Sequence, residues 1–196
     1  MHYATHAVGP LLALAQTRAE RVCCFGSGRL RADIQQVDGN IFPLETALFQ
    51  LAGTQIAAEV TRSWFQTARA YTEAFSVYGD KRGFEWQQLE HEDPLLFTLE
   101  PVVPSHRGRG VTATRIQVPD RADLLPAAIA RFTQGGHGGS HPHLAHEFVR
   151  SIVEERPPAI DALTSADWTA PGICAHESAL RDGEMVVLPD LRASDG

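Results

Sequence analysis

Apolar and polar positions repeat with a helical period at the start of the chain. Apolar residues recur three and four apart over about Thr5 to Gln16, which predicts a short helix. A short apolar strand over Arg21–Phe25 follows. The next segment is a polar link, in which Asp38-Gly39-Asn40 is a strong turn signal. The first forty residues therefore predict one helix and one strand.

From about residue 45 the pattern changes to that of consecutive strands. The candidate strands are Thr46–Leu51, Gln55–Trp64, Glu73–Tyr78, Phe84–Leu89, Leu95–Leu99 and Val111–Val118. Short turns such as Ala52-Gly53-Thr54 join several of them. Parallel neighbours need a crossover of about a dozen residues or more, so short turns indicate antiparallel pairing. We expect a sheet that is antiparallel for most of its width.

The last third of the chain returns to a helical period. Leu144, Phe148 and Ile152 recur every four residues, which predicts the apolar face of a helix. Ser140 or His141 is expected to cap the start of that helix.

A second helix is predicted to begin at the capping pattern Thr164-x-x-Asp167 and to run towards Gly183, with a kink at Pro171. A final strand over Met185–Leu188 precedes the polar tail. The fold class predicted is α+β: a largely antiparallel open sheet of about five to seven strands, with helices packed on one face. Residues 1–196 contain no repeat or clear linker, so we expect a single domain.

Composition narrows the class of protein further. The chain has 196 residues, 43% hydrophobic and 21% charged, which suits a globular core, and its formal charge of −7 argues against a nucleic-acid partner. No apolar run reaches the roughly 18 residues of a membrane span, and the N-terminus does not read as a signal peptide. Cys23, Cys24 and Cys174 are interpreted as free thiols of a reducing compartment, so the expected location is the cytoplasm.

Histidines form two groups that could carry chemistry. His2 and His6 are four residues apart, so on a helix they share a face with Tyr3 nearby. The second group runs from His137 through His141 and His143 to His146. Imidazole titrates near neutrality and binds metals, but the second histidine of an H-E-x-x-H zinc motif is absent. The alternative interpretation is the solvated side of a helix, and no metal site is predicted.

The glycines around His137 allow two interpretations. Four glycines flank this histidine in Gly135-Gly136-His137-Gly138-Gly139, which lets the backbone approach a ligand closely or adopt positive φ angles. The same composition is also typical of a flexible loop. No G-x-G-x-x-G lies between a strand and a helix, so the chain shows no dinucleotide-binding unit of its own.

Several short motifs occur in an order that is familiar from one family of enzymes. They are Tyr3-Ala4-Thr5-His6, Ser63-Trp64, Phe75-Ser76-Val77-Tyr78-Gly79, His137-Gly138-Gly139, Phe148-Val149-Arg150-Ser151-Ile152, Pro157-Pro158-x-x-Asp161, Trp168 and Leu188-Pro189-Asp190. Through nearly its whole length the chain resembles the C-terminal, substrate-side domain of the Gfo/Idh/MocA family of NAD(P)-dependent oxidoreductases. The Tyr-x-Thr-His motif is most similar to that of the branch that cleaves glycosides by a transient NAD-dependent oxidation.

The resemblance implies roles for individual residues. His6 matches the histidine that transfers a proton at the substrate hydroxyl, and Tyr3 is expected to orient the substrate. His2 stands where the family commonly has an aspartate, which puts the usual proton relay in doubt. His2, His137 and Trp64 are the candidate substrate-binding residues.

The resemblance also implies a cofactor, a substrate class and partners. NAD or NADP would be held by a Rossmann domain that is absent from this chain and is supplied upstream or in trans. The substrate would be a small sugar or polyol, and copies would associate through the sheet face. On this interpretation the chain is truncated and inactive alone. The alternative is a non-catalytic module for homo-oligomerisation or ligand binding, in which the sheet pairs face to face with a copy.

Overall fold

The computed structural model describes residues 1, 3–63, 67–69, 72–89, 91–105, 107–134 and 137–192. The helices are α1 (Thr5–Ala15), α2 (Ala32–Asp38), α3 (Ala127–Ala130), α4 (Ser140–Val153) and α5 (Ala162–Leu180), with 3₁₀ turns at Ala122–Leu124, Arg131–Gln134 and His137–Gly139. The strands are β1 (Ala19–Ser27), β2 (Leu44–Leu51), β3 (Ala57–Ser63), β4 (Ser76–Tyr78), β5 (Arg82–Glu85), β6 (Leu95–Leu99), β7 (Val111–Arg115) and β8 (Val186–Val187). None of the described helices is both long and apolar enough to cross a membrane.

The strands form two antiparallel sheets, with four described strands in each. The first has the order β3-β2-β1-β8 and the second the order β4-β5-β6-β7. The predicted α+β class and its antiparallel pairing are confirmed. The connection between the two sheets runs from Ser63, the end of β3, to Ser76, the start of β4, and is much longer than a hairpin turn.

The core lies between one face of the first sheet and helices α1 and α5. Alternate strand residues point towards these helices, as the two-residue period of a strand requires. The buried side chains of this layer include Val22, Cys24, Ala47, Phe49, Val60, Val8, Leu12, Ala175 and Ala179. The predicted placement of helices on one face of the sheet is confirmed for this sheet.

The opposite face of the first sheet is open. Phe25, Leu48 and Val187 project from it and are 63%, 59% and 73% exposed. Cys23 faces Leu48 across the β1–β2 pair, and Thr46 and Thr61 are joined by a hydroxyl hydrogen bond across β2 and β3. The two faces therefore differ strongly in burial.

Three local predictions were wrong in detail. The polar link after the first strand contains α2, and Gly39, within the predicted turn, is the left-handed C-cap of that helix. Gly139, not Ser140 or His141, is the N-cap of α4. The cap of α5 is Asp161, whose carboxylate accepts a hydrogen bond from the Thr164 N–H at 2.7 Å. The pattern therefore located these two helices better than their caps.

Candidate active site

The predicted pair Tyr3 and His6 lies together at the start of α1. His6 is in the first turn of the helix, and Tyr3 precedes it in a left-handed backbone conformation with φ of 53°. Their ring centroids are 5.6 Å apart, with the ring planes at 64° in an edge-to-face arrangement. Both side chains reach solvent, since Tyr3 is 54% exposed and the His6 side chain 41%. A ligand could therefore contact the phenol and the imidazole at once.

Two residues that the sequence did not indicate complete this cluster. Glu73 Oε1 lies 3.6 Å from His6 Nε2. The guanidinium of Arg62 lies over the Tyr3 ring, 5.5 Å from its centroid. Arg62 comes from β3 and Glu73 from the segment before β4, so each is distant from α1 along the sequence. No spacing rule links such positions, and only the folded chain shows their proximity.

The cluster combines groups that suit proton transfer at a hydroxyl. A histidine side chain can take or give a proton near neutral pH, and a nearby carboxylate can stabilise the charged imidazolium. The Tyr3 hydroxyl can both donate and accept hydrogen bonds. These are the functions that an alcohol or a sugar hydroxyl needs at a general acid–base site.

His137 lies in the glycine-flanked turn before α4. Its backbone φ is 56°, and Gly138 and Gly139 follow with φ of 59° and 79°. A side chain at Gly139 would also collide with the Thr133 carbonyl oxygen, so glycine is required there for backbone reasons. The His137 ring is exposed and lies 4.9 Å from the ring of His141.

Three parts of the site prediction are not decided by this geometry. His2 and Trp64 lie outside the described residues. That His137 binds the same substrate as Tyr3 and His6 stays a prediction. Within the described ranges, no group of three or more histidine, cysteine, aspartate or glutamate side chains could hold a metal ion.

A buried ion pair lies behind the first sheet and was missed by the sequence analysis. Glu45 is 2% exposed, and its Oε1 is hydrogen-bonded to His176 Nδ1 at 2.7 Å. The Met1 nitrogen lies 3.4 Å from Glu45 Oε2. Burial raises the pKa of Glu45, but the pKa is nevertheless held below its usual value, and the hydrogen bond with His176 is the largest of the lowering contributions. A signal was present: Glu45 is in phase with Ala47 and Phe49 on the buried face of β2.

Cys24 is a second buried group of this layer. Its backbone N–H donates to Ser178 Oγ at 2.9 Å, and Ser178 Oγ in turn donates to the Glu184 carbonyl at 2.6 Å. Burial, reinforced by the charge of Glu45, raises the pKa of the Cys24 thiol to about 12. A thiol with so high a pKa is not a nucleophile at neutral pH, so Cys24 is a packing residue.

A cavity of about 670 Å³ lies at the other end of α1. Its wall includes Leu14, Ile56, Phe75, Tyr78 and Trp86. Tyr3, His6 and His137 are not among its described lining residues. Leu14 is eight residues from His6, which places the two about 12 Å apart along the helix. We place the site at the His6 end, because that is where the titratable groups converge.

A nicotinamide cofactor does not fit the described residues. Dinucleotide sites use a strand, a glycine-rich turn and a helix within a parallel βαβ unit. The segment that comes nearest, Gly26-Ser27-Gly28 at the end of β1, has Arg31 at the third glycine position and leads into the seven-residue α2. β1 is also antiparallel to both of its neighbours. We therefore assign no chemical step to a nicotinamide cofactor bound by the described residues of this chain.

The sequence matches no protein-family model and no curated protein. The fold, however, is similar to three solved structures. The first is a levoglucosan dehydrogenase in complex with NADH and levoglucosan (TM-score 0.66, 15% identity, 97% of this chain and 50% of that chain). The second is a scyllo-inositol dehydrogenase from Lactobacillus casei with NAD(H) and scyllo-inositol (TM-score 0.57, 16% identity, 92% of this chain and 45% of that chain). The third is an NAD-binding oxidoreductase from Klebsiella pneumoniae (TM-score 0.59, 10% identity, 88% of this chain and 46% of that chain).

These similarities concern the fold, since all three identities are 16% or lower. The chain spans about half the length of each of these proteins. Two of the three were solved with a sugar derivative or polyol and a nicotinamide cofactor bound. The fold implied by the resemblance to the C-terminal Gfo/Idh/MocA domain is confirmed: this chain shares the architecture of about half of each of these three proteins.

Proposed function

We propose that this chain is the substrate-side part of an NAD(P)-dependent oxidoreductase that acts on a small sugar or polyol in the cytoplasm. The observation that carries the proposal is the cluster of Tyr3, His6 and Glu73 at the first helix of a fold shared with sugar and polyol dehydrogenases. The cofactor is held by a separate nucleotide-binding half, upstream in the same polypeptide or in trans. The chain alone is inactive as a dehydrogenase.

In this proposal the residues of the chain bind the substrate and move one proton. The His6 imidazole takes the proton of the substrate hydroxyl that is oxidised, and the Glu73 carboxylate stabilises the resulting imidazolium. Tyr3 orients the substrate through its hydroxyl, and the Arg62 guanidinium over the face of the Tyr3 ring holds that ring in place. His137 contributes a further hydrogen bond to the substrate, as do His2 and Trp64. When bound, the nicotinamide supplies the hydride acceptor.

A narrower form of the proposal is glycoside cleavage by transient oxidation. The Tyr3-x-Thr5-His6 wording supports this form. Both forms use the same proton transfer at His6, but they release different products. A chromogenic aryl glycoside is cleaved only if the glycosidase form is correct, whereas net reduction of NAD in the presence of a polyol indicates a dehydrogenase.

The proposal is tested by kinetics on the chain assembled with its nucleotide-binding half. Reduction of NAD at 340 nm is measured with levoglucosan and with scyllo-inositol, and release of 4-nitrophenol is measured with aryl glycosides. We expect His6→Ala to lower turnover about a hundredfold or more, the usual contribution of a general acid–base residue. His91→Ala is the control, because His91 is an exposed loop histidine outside the cluster. Equal rates for the two variants would refute the role of His6.

A specific observation favours association of copies as a second function of the chain. The open face of the first sheet carries the exposed side chains Phe25, Leu48 and Val187. A sheet with helices on one side must cover or solvate its other face. We propose that two copies pair through this face. If the chain is only an assembly module, this pairing remains while His6→Ala has no effect on any activity.

A further inference from the structure

Helix α4 carries an apolar strip that the described part of the chain does not bury. Leu144, Phe148 and Ile152 lie one above another on one side of the helix, and Val149 and Val153 lie beside them. All five side chains are between 54% and 76% exposed. The sequence predicted this apolar face correctly, but the face does not point into the core. A strip of five large apolar residues on one exposed helix marks a surface that another structure covers.

Charged residues border the strip and join α4 to the segment that follows it. Arg156 holds both oxygens of Glu147 through its two terminal nitrogens, at 2.7 and 2.8 Å, and the Ala159 N–H donates to the same carboxylate. The guanidinium lowers the pKa of Glu147 to about 2, so this pair stays charged at physiological pH. Arg150 and Glu154 form a further ion pair one turn apart on the helix. An apolar centre with a polar border is the usual composition of a protein interface.

The size of the strip favours a domain of the same enzyme over a second copy of α4. Fourteen residues form a helix about 21 Å long, and one face of it covers on the order of 200–400 Å². Two such faces would bury on the order of 400–800 Å² in total. Stable dimers of separate chains begin at roughly 1,200 Å². Interfaces between domains that are held together in other ways begin at roughly 600 Å².

The comparison structures indicate which domain is available to cover the strip. This chain matches 45–50% of each of the three proteins, so about half of each of them lies outside the match. Two of the three were solved with a nicotinamide cofactor bound, and the described residues of this chain offer that cofactor no site. On the proposed function the remaining half is the nucleotide-binding structure, and with about as many residues as this chain it is large enough to cover α4.

We propose that the strip of α4 formed by Leu144, Phe148 and Ile152 is the surface on which the nucleotide-binding half docks. The inference rests on the proposed function and specifies which surface receives the cofactor domain. The helix begins directly after the turn that carries His137. Docking on α4 therefore brings the nucleotide-binding half to the side of the molecule where His137 is exposed.

Site-specific photo-crosslinking in the native host tests this surface. Phe148 is replaced by p-benzoylphenylalanine, an aromatic residue at a position where the ring is exposed, so that folding is preserved. Leu144 is replaced in the same way in a second variant. Phe25, on the open sheet face, and His91, in an exposed loop, are the matched controls. After irradiation, the cross-linked peptides are identified by mass spectrometry.

We expect the Phe148 and Leu144 positions to cross-link to a peptide of a nucleotide-binding domain that carries G-x-G-x-x-G, and the Phe25 position to a second copy of this chain. A cross-link from Phe148 to another copy of α4, to an unrelated protein, or to nothing would overturn the proposal. Failure of the proposed function is distinguished by activity. If the assembly cross-links as expected but oxidises no polyol, the docking proposal stands and the proposed function is wrong. If the assembly is active but cross-links elsewhere, the proposed function stands and the docking proposal is wrong.

Discussion

Gly172 of α5 lies against Ala4, at the residue that leads into α1. A methyl group added at Gly172 would come within 2.7 Å of Ala4 Cβ and 2.8 Å of the Met1 carbonyl oxygen. Ala4 is between Tyr3 and His6, so the close approach of the two helices sets the position of the candidate site relative to the core. A similar contact one turn further on joins Gly9 to the ring of Trp168, where an added methyl group would come within 3.1 Å.

The first prediction concerns this contact. Gly172→Ala forces the start of α1 away from α5, and overpacking of this kind typically costs about 1–3 kcal/mol in the free energy of unfolding. Urea unfolding followed by circular dichroism measures the change. Gly108→Ala is the matched control, because an added methyl group at Gly108 meets open space. If both variants unfold at the same urea concentration, the tight contact between α1 and α5 is wrong.

The second prediction concerns acid stability through Glu45. Its pKa in the folded chain is lower than its usual value, so the stabilisation is complete above the unfolded pKa of about 4.3 and is lost as the pH falls through the folded value. Glu45→Gln is expected to lower the free energy of unfolding by roughly 3 kcal/mol at pH 7, because it breaks a buried pair. The difference from the unmodified chain should shrink below about pH 4.

Denaturant unfolding at several pH values between 3 and 7 tests this dependence. Glu59→Gln is a suitable control, since Glu59 is exposed on the same sheet. A difference between Glu45→Gln and the unmodified chain that stays constant over this pH range would contradict the linkage to Glu45.

The third prediction concerns the reactivity of the cysteines. Burial raises the pKa of Cys24 to about 12 and also raises the pKa of Cys174, whereas Cys23 is only partly buried, on the open face of the sheet. We expect one thiol to react readily with a disulfide reagent at pH 8 and the other two to react only on unfolding. Cys23→Ser should abolish the fast reaction. Rapid labelling that persists in Cys23→Ser would show that the buried thiols are accessible.

The fourth prediction concerns association through the sheet. Leu48→Lys places a charge at the centre of the open face and is expected to convert a dimer into a monomer in sedimentation velocity. Val37→Lys is the control, because Val37 is 84% exposed and belongs to α2 rather than to a strand of the sheet. An unmodified chain that already sediments as a monomer at micromolar concentration, or a Leu48→Lys variant that remains dimeric, would exclude this surface.

The sequence allowed the elements with strong local signals to be predicted. The helix at α1 and the strand Leu95–Leu99 follow from periodicity, and the hairpin between β2 and β3 follows from the glycine that turns it. Helix α2 was missed because its seven residues, lying in a polar link, are too few to show a helical period. The division into two sheets was also missed, since it depends on which strand edges meet and not on the strands themselves.

The candidate site was predicted only where its residues are neighbours in sequence. Tyr3 and His6 are three residues apart and meet as expected. Arg62 and Glu73 reach the same cluster through the tertiary fold, and no pattern in the sequence connects them to α1. Leu144 and Phe148 were correctly predicted to share an apolar helix face, but their exposure to solvent was not predicted. Periodicity identifies an apolar face, but it does not say whether that face covers the core or a partner.

The central claim is that the Tyr3–His6 cluster and His137 bind one small hydroxylated ligand. Proton–carbon NMR of the histidine and tyrosine rings in the assembly with its nucleotide-binding half, titrated with levoglucosan or scyllo-inositol in the presence of NADH, measures this directly. We expect the ring signals of Tyr3, His6 and His137 to shift together with one saturation curve, while those of His91 do not move. Saturable shifts that leave His6 unmoved, or no shift at any of the three rings, would contradict the assignment.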